Sequence, residues 1–100
     1  MADETPLFIA CAEGHLPVAR LLLKHGAEAH VVCRSKWTLL HEVCMKGRQE
    51  IAELLVQHGA NVHAADQSGC TPLHCASELC HVPVVRMLLQ HGARVDAVDE

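Results

Sequence analysis

Aromatic side chains are almost missing from this chain: among its 100 residues only Phe8 and Trp37 carry them, and tyrosine is absent. Half of the residues are hydrophobic, so a core is affordable, but it must be built from Leu, Val, Ala and Cys. Such residues suit the close packing of short helices better than sheet faces rich in aromatics. Basic charge is also in short supply, with a formal net charge of -4. Binding a phosphate backbone needs a basic footprint, so nucleic acid is not an expected partner. No apolar run approaches the roughly 18 residues of a membrane span, and no membrane role is expected. The opening Met1-Ala2-Asp3-Glu4 lacks the basic and then apolar pattern of an export signal. The six cysteines are therefore expected to stay reduced, in cytosol or nucleus. Enzyme signatures are lacking too. There is no P-loop, dinucleotide fingerprint or nucleophile elbow, the acidic residues are scattered, and neither catalysis nor a cofactor is expected.

What the chain does have is an internal period. A shift of 33 places aligns Thr5, Thr38 and Thr71, then Leu7, Leu40 and Leu73, and His25-Gly26-Ala27 with His58-Gly59-Ala60 and His91-Gly92-Ala93, without a gap. Thr5 and Thr71 precede proline, the pairing that opens a helix. The stretch from Leu7 to Glu13 gives about two turns before Gly14, a left-handed helix stop. Pro17 and Pro83 open a second helix. On it Val18, Leu21 and Leu22 recur at i, i+3 and i+4, as do Ile51, Leu54, Leu55 and Val84, Met87, Leu88, an apolar stripe at helical spacing. Gly26, Gly59 and Gly92 end that helix. Helices of about ten residues are marginal alone; stacked on their neighbours they form one apolar layer. The period thus predicts an all-α array of helix pairs.

Thr71-Pro72-Leu73-His74, the Gly-Ala after each second helix, and Asp66-Gln67-Ser68-Gly69 before the threonine resemble the ankyrin repeat over essentially the whole chain. The resemblance implies a solenoid of L-shaped helix-turn-helix units. The turns before each threonine would project as β-hairpin-like fingers. It also implies that fingers and inner-helix faces bind a partner protein. On this reading residues 1–100 form a single domain with repeats at about 1–32 (lacking its first finger), 33–65 and 66–98. A finer resemblance lies in Thr5-Pro6-Leu7-Phe8-Ile9-Ala10-Cys11 and Leu40-His41-Glu42-Val43-Cys44. These are similar to first helices of the ankyrin and SOCS-box family, which captures substrates for a cullin-based ubiquitin ligase. No SOCS-box sequence is present in the chain.

Several positions depart from the pattern. Cys33 replaces the aspartate that Asp66 supplies, Lys36 replaces Gly69, and Leu39 stands at the helix-start proline. A left-handed turn without glycine costs about 1–2 kcal/mol, so the finger from Cys33 to Trp37 is expected to turn differently. Cys80 stands where Gly14 and Gly47 end the first helix, which puts the third inner turn in doubt. The ends read as cut: no finger precedes Thr5, and Asp99-Glu100 begins what would be a fourth. The last second helix still reads apolar, where a capping repeat carries a polar outer face. A piece of a longer array is expected, with marginal stability or self-association through its ends.

The expected partner surface follows the fingers and inner helices: Arg34, Ser35, Lys36 and Trp37, then Met45 and Lys46, and in the next unit Gln67, Ser68, Cys70, Glu78 and Leu79. Trp37, at a finger tip, is read as an interface anchor; the alternative is that it folds back over the neighbouring finger. The basic group Arg34, Lys36 and Lys46, with Glu13 and Glu78 beside it, suits an acidic or mixed segment. His74, Cys75, Cys80 and His81 invite zinc, but their spacing stretches the usual ligand pattern, so no metal is expected. His41 and His74 occupy the Thr-x-x-His column, where the resemblance implies a structural hydrogen bond near the helix start. His25, His58 and His91 sit where a donor suits the helix dipole. Cys11 and Cys44 read as small core residues, and Cys33 and Cys70 as more exposed. Glu42, in the column of Ile9 and Cys75, either borders solvent or pairs with His41, His74 or Arg48; a partly exposed carboxylate is expected. The function expected is a protein-binding module, with a spacer in a longer array as the main rival and a metal-binding module as a weaker one.

Overall fold

Three threonines set the architecture. Each caps a helix by accepting a backbone N–H three residues on: Thr5 from Phe8, Thr38 from His41 and Thr71 from His74. The computed structural model describes residues 5–96. In it these caps open α1 (Pro6–Ala12), α3 (Leu39–Met45) and α5 (Pro72–Glu78). Each is followed by a longer partner: α2 (Leu16–Lys24), α4 (Gln49–Gln57) and α6 (Val82–Gln90). The starts fall at the same 33-residue spacing as the sequence period.

The helices file into two rows. α3 packs on α1 and α5, α4 packs on α2 and α6, and each inner helix packs on its own outer partner. The fold is thus an all-α repeat stack, and the core is the layer between the rows. Leu39, Leu40, Val43, Leu55, Val84 and Leu88 are all but inaccessible there. Among the described residues the fingers contain no extended strand; one antiparallel bridge, Val32 to Thr38, closes the second.

The expected stripe holds on α4 and α6, where Ile51, Leu54, Leu55, Val84, Met87 and Leu88 are buried. On α2 it does not. Val18 and Leu21 are 49% and 57% exposed, and the helix buries Ala19 and Leu23 instead. Those two columns are covered by the preceding helix pair, and among the described residues α2 has none before it.

Both doubtful turns resolve into left-handed backbone. Cys80 has φ 59°, close to the 82° and 73° of Gly14 and Gly47, so the third inner turn keeps the common shape. A side chain at Gly14 would run into Arg48, and one at Gly47 would meet the His81 ring at 2.7 Å. The second finger does turn differently. Its tip is a single 3-10 turn, Arg34–Lys36, with Ser35 at φ 58° and Lys36 at φ 62°. The third finger needs a left-handed residue only at Gly69 (φ 87°). Asp99 and Glu100, read as the start of another finger, lie outside the described residues, as do Met1 to Glu4.

Candidate functional site

The second finger and α3 form one connected group. Trp37 follows the 3-10 turn and is half-buried. Its ring stacks on that of His41, centroids 4.7 Å apart, and its Nε1 donates to the Glu42 carboxylate at 3.0 Å. Glu42 also pairs with Lys46, one helical turn on, at 3.4 Å. Lys46 and Arg48 both reach back to the Ala12 carbonyl, at 3.4 and 3.0 Å. Trp37, Glu42, Lys46 and the end of α1 are therefore linked in a chain. The expectation of Trp37 at a finger tip is corrected: the tip is Ser35-Lys36, and the indole lies back on the helix of its own unit, not over the neighbouring finger.

His41 is the anchor beneath. The Thr38 N–H donates to its Nδ1 at 3.0 Å, which fixes the proton on Nε2, and Nε2 donates to the Cys70 carbonyl at 2.7 Å. One imidazole thus caps α3 and ties it to the third finger. Burial holds its pKa below the ordinary value, against the opposing pull of the Cys70 hydrogen bond and the charge of Asp66. The fingers are also joined directly, with the Gln67 N–H donating to the Ser35 carbonyl at 2.9 Å. Asp66 stiffens the third finger by accepting from the N–H groups of Ser68 and Cys70.

The sequence-chosen residues fall into three settings. Arg34, Ser35, Lys36, Gln67 and Ser68 are exposed at adjacent finger tips, and Lys46, Glu78 and Leu79 are exposed at the ends of α3 and α5. Met45 and Cys70 are half-buried, and their carbonyls serve the joints between units, Met45 accepting from His81 Nε2 at 2.9 Å. Glu42 is partly exposed, as expected, and its partners are Trp37 and Lys46, not His41, His74 or Arg48. Its charge in an apolar column was the available signal; the indole that meets it arrives across a cap turn.

Burial pushes the Cys11 thiol up to about 11 and Cys75 up to about 12, and raises Cys44 as well, which removes the thiolate that nucleophilic work requires. Of the zinc candidates, His74 caps α5, Cys75 is buried, Cys80 is exposed and His81 serves Met45. Among the described residues no three such side chains gather as metal ligands, and no helix is long and apolar enough to cross a membrane.

A family model described as ankyrin repeats (3 copies) matches residues 7–99. The mouse and human proteins named ankyrin repeat domain-containing protein 13B are each 53% identical to this chain over 38 residues. Those matches cover 38% of this chain and 6% of each relative's length.

Proposed function

The chain belongs to the ankyrin-repeat family, and from that premise we propose that it is a non-catalytic module that seats another protein against its fingers and inner helices. The observation that carries this is the Trp37–Glu42–Lys46 group, an indole and a lysine held in place before any partner arrives. Side chains already fixed lose little entropy on binding. Leu79 stands in the Lys46 column one unit on and is exposed, adding an apolar contact beside the charged one. Arg34, Lys36 and Lys46 favour an acidic or mixed partner segment.

The test is a partner selected from a displayed peptide library against the whole chain. Lys46→Glu and Leu79→Ala should each weaken it, the pair by more than about 1 kcal/mol, while Arg20→Glu on α2 leaves it unchanged. Binding that survives at the inner helices and fails at α2 would overturn the reading.

The finer reading, substrate capture for a cullin-type ubiquitin ligase, rests on the first-helix resemblance alone. The family model is the general repeat, and the relatives' names mention no SOCS box. A SOCS-box sequence in the same reading frame would select it. The spacer alternative predicts no partner in the selection. A cytosolic or nuclear location is proposed with the binding role, on the reduced cysteines; a fluorescent fusion tests it.

A further inference from the structure

The three inner helices end alike. Glu13, Lys46 and Leu79 are the C-caps of α1, α3 and α5, with φ of -87°, -83° and -99° and ψ of -3°, -2° and 8°. Their side chains therefore leave the stack from equivalent points, one per unit, and all three are exposed. Glu13 and Lys46 stay exposed although the next inner helix packs beside each of them. The column is thus open inside the stack and owes nothing to its ends.

Along the stack the column presents an anion, a cation and an apolar side chain. The cation is held in place: Lys46 Nζ lies 3.4 Å from the Glu42 carboxylate and 3.4 Å from the Ala12 carbonyl, with 37% of its side chain still accessible. Glu42 gives its other oxygen to the Trp37 indole, so its charge is not spent on the lysine alone. Every lysine and arginine of the fingers and inner helices (residues 5–15, 33–48 and 66–81) falls in the second unit, as Arg34, Lys36, Lys46 and Arg48. The flanking units offer Glu13 on one side and Glu78, beside Leu79, on the other. An acidic group is attracted to the middle unit and repelled at both flanks.

Spacing adds a geometric condition. Packed helices stand about 8–10 Å apart, so the three side chains recur at about that interval. A polyproline II segment turns once in three residues, about 9 Å, and brings every third side chain to the same side. A β-strand covers the distance in three residues but sends that side chain to the opposite face. An α-helix would need about 15 residues to reach all three positions, and a helix of that length is marginal until it is ordered by binding. The polyproline II form is already populated in an unfolded segment.

We infer that the partner segment is a polyproline II stretch lying along this column. It sets an acidic side chain on Lys46, an apolar one three residues away on Leu79, and a basic one three residues to the other side on Glu13. The inference rests on the partner-binding role proposed above and specifies the ligand of that surface.

The experiment is titration of the whole chain into labelled proline-rich heptapeptides at low salt, read by fluorescence anisotropy. One peptide carries lysine, glutamate and leucine at its first, fourth and seventh positions; a second carries them in reverse order, so that both chain directions are represented. One of the two should bind, and less tightly as salt is raised, because exposed charges are screened. Lys46→Glu should weaken it several-fold, and a peptide with lysine at its centre should recover that loss. Leu79→Ala should weaken it several-fold as well, with circular dichroism to show that both variants remain folded. A peptide with the same side chains at its first, third and fifth positions should bind several-fold less well. No binding in either direction, equal binding of the closely spaced peptide, an unchanged affinity for Leu79→Ala, or a Lys46→Glu loss that the central lysine does not recover would each overturn the inference. Partners selected from the library separate it from the broader reading. Binders that depend on Lys46 and Leu79 without the three-residue spacing would overturn the polyproline II segment alone, whereas a selection without binders would remove both.

Discussion

His41 donates its Nε2 proton to the carbonyl of Cys70 at 2.7 Å, across 29 residues of chain. The imidazole has almost no solvent access, and both of its nitrogens are occupied. His41→Ala should therefore remove the imidazole's half of the helix cap, leave the Cys70 carbonyl without this donor and open a cavity under Trp37. The expected loss is about 2–4 kcal/mol, read as a lower urea midpoint. A change smaller than about 1 kcal/mol would show that the tie carries little of the stability.

The same residue gives the stack a pH dependence. Burial lowers the folded-state pKa of His41 below the ordinary 6.5, so the unfolded chain binds the extra proton first. Its contribution is complete above about 6.5 and is lost as pH falls from there toward the depressed folded value. The His41 ring resonances should titrate below 6.5 by NMR. A midpoint at or above 6.5 would contradict the assignment of Nδ1 as acceptor.

Cys80 and Lys36 hold φ near 60° without being glycine. Cys80→Gly and Lys36→Gly should each stabilise the chain by about 1 kcal/mol, read in thermal melts. Gly14→Ala should do the reverse, since its methyl would run into Arg48 as well as strain the backbone.

Thiol labelling separates the six cysteines by burial. Cys80 is exposed and should react with a maleimide first, followed by the half-buried Cys33 and Cys70. Cys11, Cys44 and Cys75 are buried, with thiol pKa values raised, and should react only after denaturant is added. Mass spectrometry of the native chain should stop at three adducts; early labelling of Cys44 would mean that α3 opens locally.

Trp37→Ala should lower stability by about 1–2 kcal/mol through the lost ring contact and the lost Glu42 bond. Trp37→Phe keeps the stacking and should recover about half. A Trp37→Ala chain as stable as wild type would mean that the indole rests on the helix without supporting it.

The helices, their order and their spacing were legible because they rest on short-range chemistry. Thr before Pro, apolar residues three and four apart and Gly after most of the helices all act within a few residues, and the exact period repeats each signal two or three times. The family followed from the same residues. The site was only half legible. That the second finger breaks the pattern is visible in Cys33, Lys36 and Leu39. Where Trp37 goes is not, because the indole meets Glu42 across a turn whose shape is set by Ser35 and Lys36 together. The stripe on α2 misled for a related reason: spacing marks which face of a helix is apolar, not whether a neighbour covers it.

By itself, then, the sequence determined that this protein is a row of similar helix pairs, since capping and helix periodicity are local and need no partner to be read. Only the tertiary structure decided that His41 reaches Cys70, that Trp37 lies on its own helix, and that Val18 and Leu21 on α2 are exposed. Those outcomes depend on what stands beside a residue in space, and stacking brings together side chains that lie a full repeat or more apart along the chain.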